Sequence, residues 1–304
     1  MIDLHCDTIS RILKSKESLK QNCGHFDLTR ALATGQQMQI AALYSSHQNP
    51  DANLRDILKQ IAYFNKEMIT CENQAYQILN TTDVLRETEK IGMLLHMEGA
   101  ESLGNSMELL DLFFTLGLRS IGLTWNHRNV FADGVYEYGG LTSKGRELIV
   151  ACQKKGIVID LAHCSERSSL EALEIARAPV MISHANAWGI YPCFRNVSDQ
   201  VLAELKSNGG IMGITYVADF VSAAPVDIEK LVHHILYLIE KIGVECVALG
   251  SDFDGADDMV INKVEDTGFL QAELTKYIAE KDIERIFYQN AAEFFRAVLP
   301  GDIL

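Results

Sequence analysis

Short, almost continuously apolar runs alternate along the chain with longer amphipathic stretches. The runs are MIDLH (1–5), MQIAALY (38–44), IGMLLHM (91–97), SIGLT (120–124), IVIDLA (157–162), VMISH (180–184), GIMGIT (210–215) and CVALG (246–250). Consecutive apolar positions over so few residues predict strands buried on both faces of a parallel sheet. Between the runs, MELLDLFFTLG (107–117), KGRELIVACQKKG (144–156) and VDIEKLVHHILYLIEKIG (226–243) place apolar residues at i, i+3, i+4 spacing. Each ends at a glycine that can cap a helix.

Strand followed by helix, eight times without a break, predicts an α/β fold of the (β/α)8 TIM-barrel type. No linker or low-complexity stretch interrupts it, so we expect a single domain over 1–304 with a helical insertion at about 50–88. A doubly wound open sheet would want a GxGxxG turn after the first strand, and none is present.

Composition narrows the class. With 304 residues, 48 % hydrophobic and 22 % charged, the chain can bury a large core. A formal net charge of −14 argues against nucleic acid or an anionic membrane surface as main partner. The seven cysteines, at 6, 23, 71, 152, 164, 193 and 246, are odd in number and form no CxxC pair. They predict reduced thiols and a cytoplasmic protein rather than a disulfide framework. Neither a leader-like segment before the first run nor a membrane-spanning run of about 18 apolar residues is expected.

The barrel makes a sharp demand, because catalytic groups lie at the carboxyl ends of its strands. There stand His5 and Asp7 after the first strand, Glu98 after the third, His163 after the fifth, His184 after the sixth and Asp252 after the eighth. Any one of them is unremarkable as a loop residue. Six ionisable groups on one rim are costly to bury without a counterion. Imidazole and carboxylate donors suit divalent metal, zinc first, with manganese, cobalt or iron possible. Five ligands are too many for one tetrahedral ion and suit two. His5 and Asp7, two apart on a strand, can share one ion, and His163 and His184 the other, with Glu98 bridging. Two ions about 3.5–4 Å apart would hold a hydroxide nucleophile between them.

These residues, with the segments LTWNHRNVFADG, IDLAHCS, ISHANAWGIYPCFRNVSD and GSDFDG, resemble the membrane or renal dipeptidase family of binuclear zinc peptidases (family M19), within the amidohydrolase superfamily. The resemblance runs from residue 1 to about 260. It implies a metal-dependent dipeptidase with the ligand roles just given, Asp252 as proton shuttle and Arg195 gripping the free C-terminal carboxylate of a dipeptide. Asp254 competes with Asp252 for the shuttle, and Arg195 could instead be a surface residue paired with Asp199. The family's histidine after the fourth strand is replaced here by Trp125, with His127 two residues on. Either His127 reaches the site or the metals alone polarise the carbonyl oxygen. Tyr216 is a further candidate for the pocket wall. His96 is expected as a core histidine, His233 and His234 as outer-face or packing residues, and Cys6 as pointing away from the ligands.

The alternative is another hydrolase of the superfamily, acting on an N-acyl amino acid, a lactone or a β-lactam. Many of these bridge their metals with a carbamylated lysine after the fourth strand, where this chain has none. A homodimer is expected from the family and from the prevalence of twofold assemblies.

Overall fold

The computed structural model describes residues 1–301 except 48, 85, 87 and 224, so the last three residues of the expected 1–304 domain lie outside the described residues. Eight parallel strands close into a barrel. They are β1 (Ile2–Cys6), β2 (Met38–Tyr44), β4 (Ile91–Glu98), β5 (Leu118–Gly122), β6 (Val158–Asp160), β7 (Met181–Ala185), β8 (Ile211–Ile214) and β9 (Val247–Leu249). Each coincides with a predicted apolar run to within a few residues. The ring closes through β2 and β4, paired without a break from Met38 opposite Gly92 to Tyr44 opposite Glu98.

A ninth strand, β3 (Ala75–Gln77), has no counterpart among the predicted runs. It pairs with Ile91–Met93 of β4, while β5 takes up the same edge only from Leu95 onward. β3 thus covers backbone groups that the ring itself leaves unpaired. The stretch 50–88 contains the helix Pro50–Thr70, then β3 and the short helix Thr81–Val84; residues 85 and 87 lie outside the described residues.

The predicted helices form as Leu109–Thr115, Ser143–Lys155 and Ile228–Ile242. Local capping sets their limits. Thr142 accepts a hydrogen bond from the Gly145 amide and Asp227 from the Lys230 amide, satisfying donors that a helix start leaves orphaned. Gly156 ends its helix in the left-handed region, where a side chain would be strained. No helix among the described residues is long and apolar enough to cross a membrane.

The main apolar core lies between strands and helices, where residues such as Leu43, Leu95, Ile121, Phe113 and Leu148 are fully buried. Cys6 belongs to this layer, away from His5. The terminal helix Asn290–Val298 contributes a second cluster, packing Phe294 and Phe295 with Ile2, Met38, Val158 and Ile211 near the strand starts. Toward the rim the inside of the barrel is polar, above the apolar layer of Met38, Ile40 and Leu94. Contacts between strands that are not neighbours, such as His96 on β4 with Asp160 on β6 at 3.4 Å, cross it.

Two glycines let the backbone of β8 and β9 close on β7. A Cβ on Gly213 would sit 2.0 Å from the Ser183 carbonyl oxygen, and one on Gly250 1.8 Å from the same atom. This close approach fixes the stretch that carries His184. Gly213→Ala is expected to force the strands apart and cost about 1–3 kcal/mol by overpacking. A lowered denaturation midpoint checks this. An unchanged midpoint would show that the strands have room.

Candidate metal centre

The six residues expected at the rim converge. His5 is the fourth residue of β1, and Asp7 follows that strand. Glu98 ends β4, His184 sits within β7, and His163 and Asp252 each lie three residues past their strands. β1 and β9 are neighbours, and their loops are tied by the Asp252 amide on the His5 carbonyl (3.2 Å) and the Asp7 amide on that of Phe253 (2.8 Å). Those bonds bring Asp252 to His5. All six are at most 9 % exposed.

The donor atoms face one another. His5 Nε2 lies 3.3 Å from Asp7 Oδ2 and 3.8 Å from both Glu98 Oε1 and Asp252 Oδ1. His163 Nε2 is 2.9 Å from Glu98 Oε1 and 2.9 Å from His184 Nε2, which is 3.7 Å from the same Glu98 oxygen. Glu98 is therefore common to two donor groups, His5 with Asp7 and His163 with His184, and each group brings its ligand atoms within 4.8 Å.

Hydrogen-bond direction identifies the lone pairs. Asn126 Oδ1 is 2.7 Å from His163 Nδ1 and can only accept, so Nδ1 carries the proton. The lone pair is then on Nε2, where Arg195 Nη2 approaches at 3.2 Å. Electron-rich atoms thus meet in a buried space, an arrangement that a cation relieves.

Electrostatics agree. Burial, then the Asp7 charge, pushes the Glu98 carboxyl well above its usual range. Burial, followed by the positive charges of Arg195 and His5, holds His163 well below an ordinary histidine. In His184 the order of the two charges is reversed. Burial disfavours the charged form of His5, but the hydrogen bond to Asp7 and the surrounding carboxylates outweigh it and raise the imidazole to about 10. Burial lifts Asp252 to about 6. Both neutral imidazoles present ligating nitrogens, and the carboxylates present hard oxygens, so the donor set fits a divalent transition metal.

Strain marks the same place. His163, Asp252 and Asp254 have φ of 67°, 65° and 64°. Such backbones cost about 1–3 kcal/mol each and persist where the surroundings impose them.

The other candidates are placed as follows. Arg195 is 3 % exposed beside the cluster and does not pair with Asp199, which binds Tyr237 and Lys241. Its Nε is buried without a partner, and its guanidinium lies over Phe220. Asp254 is held apart from the cluster, accepting from Thr8 Oγ1 at 2.6 Å and the His25 amide at 2.8 Å. The structure does not bring His127 to the centre: its side chain is 69 % exposed and its Nδ1 is 3.2 Å from Glu137 Oε1. The loop after β5 points Asn126 inward instead. Tyr216 is buried edge-on against Phe253 and does not line the cavity at the cluster. His234 is a packing histidine, bonded to the Ala187 amide and the Val221 carbonyl.

That cavity holds about 360 Å³. Trp125, Tyr44, Tyr136, Phe194 and Phe220 wall it in front of Glu98, Arg195 and Asp252. Asn126 was not anticipated as a site residue. Its only signal was its position beside Trp125 in a segment already carrying the resemblance.

A family model described as membrane dipeptidase (Peptidase family M19) matches residues 1–299. Dipeptidase tcpJ of Claviceps purpurea (strain 20.1) is 31 % identical over 259 residues, covering 81 % of this chain and 61 % of its own. Dipeptidase aclJ of Aspergillus oryzae is 35 % identical over 173 residues, 55 % of this chain and 41 % of its own. The chain thus spans less than two thirds of the length of these curated relatives. Among solved structures, a metallo peptidase from Rhodobacter sphaeroides, liganded with a phosphinate mimic of the dipeptide L-Ala-D-Ala, superposes with a TM-score of 0.92 at 24 % identity over 98 % of both chains. That likeness establishes the fold.

Zinc added to metal-stripped protein is expected to raise its melting temperature. At about 1,000 times Kd the stabilisation is about 4 kcal/mol. Glu98→Gln, which replaces the carboxylate common to both donor groups, should lose most of that shift. A wild-type melting curve indifferent to zinc would remove the metal centre.

Proposed function

The chain belongs to the membrane dipeptidase family (Peptidase family M19), and from that premise we propose that it is a metallo-dipeptidase acting on dipeptides with a free C-terminal carboxylate. The observation that carries this reading is a buried guanidinium, Arg195, with an unpartnered Nε beside a cluster of metal-ligating atoms.

His5 and Asp7 would hold one divalent ion and His163 and His184 a second, with Glu98 shared between them. When bound, two such ions, zinc in our reading, would supply Lewis acidity and activate a water molecule as nucleophile at neutral pH. The remaining work falls to side chains. Arg195 offers a planar fork for the substrate carboxylate, a charge-assisted contact strengthened by burial. Gripping that end places the peptide bond one residue away, over the ligand cluster. Asp252, raised to about 6 by burial, can take a proton from the attacking water on its carboxylate and return it to the leaving amine nitrogen. The aromatic walls exclude water and sharpen the electrostatics within. We further propose a cytoplasmic enzyme, with a homodimer as its assembly.

Amino-acid release from a pool of L,L- and L,D-dipeptides, with zinc and with chelator, tests the function. Release is expected only with metal. Asp252→Asn should lower kcat by about 10²–10⁴-fold, the usual contribution of a positioned acid–base group. Arg195→Ala should raise KM by roughly 10–100-fold for free dipeptides, the value of a charged hydrogen bond, and leave dipeptide amides less affected. No release from zinc-loaded protein would overturn the dipeptidase proposal and direct the screen to N-acyl amino acids, lactones and β-lactams.

A further inference from the structure

Beneath the ligands lies a buried polar chain that the function above does not use. Ser183 Oγ is 2.5 Å from Asp160 Oδ2 and 2.8 Å from His184 Nδ1. A hydroxyl has one proton, and a carboxylate can only accept. The Ser183 proton therefore goes to Asp160. Oγ then meets His184 as an acceptor, so His184 Nδ1 must carry the hydrogen. Its Nε2 is left with a free lone pair facing Glu98 and His163.

Asp160 is itself held rigidly. Its Oδ1 accepts from the Ala162 amide at 3.0 Å and the Ser183 amide at 2.9 Å, and the residue is 1 % exposed. On its other side Oδ2 is 3.4 Å from His96 Nε2, while His96 Nδ1 meets Ser120 Oγ at 2.9 Å. His96 stands edge-on to His5 with ring centroids 5.6 Å apart, and His5, His96 and Asp160 bring ligand atoms within 4.8 Å of one another. His5 Nδ1 and His96 Nε2 are both buried without a hydrogen-bond partner. The negative charge of Asp160 is thus placed behind two of the three ligand histidines.

We propose that Asp160 is a positioning residue for the metal centre: acting through Ser183, it locks His184 in the tautomer whose Nε2 is free to bind metal. The proposal rests on the metal centre described above. It accounts for a carboxylate inside a strand that is otherwise apolar, and for the serine directly before a ligand. Outer partners of this kind fix ring orientation, and their loss typically costs about 10–100-fold in metal affinity.

The test uses the full chain and three variants. Ser183→Ala deletes the relay, Ser183→Thr keeps the hydroxyl, and Asp160→Asn substitutes an amide whose N–H can donate to Ser183 Oγ. Two quantities are read: zinc affinity by chelator competition, and the His184 tautomer in metal-free protein from ring nitrogen chemical shifts. In the wild type, His184 should be protonated on Nδ1. Ser183→Ala should weaken zinc binding about 10–100-fold and mix the tautomers, and Ser183→Thr should restore both. Asp160→Asn should shift His184 toward the Nε2–H form, because Ser183 can then donate its proton to Nδ1. If Asp160→Asn fails to fold, the serine pair decides alone. A His184 that stays Nδ1–H in Ser183→Ala, with zinc affinity unchanged, would overturn the proposal. A wild type that binds no zinc but shows the relay-dependent tautomer would instead overturn the metal centre.

Discussion

The meeting of Glu98 Oε1, His163 Nε2 and His184 Nε2 constrains everything around it. Three electron-rich atoms within 3.7 Å, largely buried, repel one another unless something positive joins them. A sequence would not keep such a cluster for stability. Folding it requires a frame stiff enough to hold the atoms in place against their repulsion. A closed parallel barrel supplies that frame, because none of its eight ring strands has a free edge along which to relax.

The rest of the barrel follows from that requirement. In many barrels the interior is filled by branched apolar side chains. Here His96, Ser120, Asp160 and Ser183 fill the interior toward the rim in hydrogen-bonded pairs, and a second buried polar group, Asp3 with Gln39 and Ser251, forms behind them on the other face of the sheet. Asp3 illustrates the logic. Burial pushes its carboxyl up, while bonds from the Ser251 amide and hydroxyl and from Gln39 push it back down. Buried polar groups cost little when paired and fix geometry when the pairing is unique. Hydrophobic stabilisation is displaced to the layer between strands and helices and to the terminal helix beneath the strand starts. The polar groups near the rim orient, and the apolar layers below and around them stabilise.

Much of this was legible in the sequence because the two periodicities are simple. Eight apolar runs gave eight barrel strands, and residues at or just past the ends of five of them gave the rim. That is why His5, Asp7, Glu98, His163, His184 and Asp252 could be named together: their position depends on strand order alone. What stayed hidden depends on loop paths and pairings between distant segments. β3 is three residues long and has a partner only because β5 starts late. The loop after β5 turns Asn126 inward and His127 out to solvent, a choice made by backbone torsions that spacing does not encode. Tyr216 follows its strand closely, yet its ring packs on Phe253. Asp160 carried a signal that could have been read: a lone carboxylate inside an apolar strand must find partners.

Trp125 shows how one substitution redistributes labour within such a site. A histidine in that place could donate, accept or shuttle a proton. An indole has one donor and no acceptor, and its pKa lies far outside the working range. Its ring stands 5.7 Å from that of His163 and 5.1 Å from that of Tyr44, forming a wall rather than a relay. In the function proposed above, proton traffic at the reacting bond would then be left to Asp252, whose carboxyl burial has brought to about 6. In that function Arg195 is taken up by the substrate carboxylate, and charge developing on the carbonyl oxygen would fall to bound metal. The wall contributes by exclusion: with water kept out, each remaining charge acts through a lower dielectric and at greater strength. A site of this kind trades a chemical group for an electrostatic one, and it can do so only because the barrel gathers the remaining groups around one small cavity.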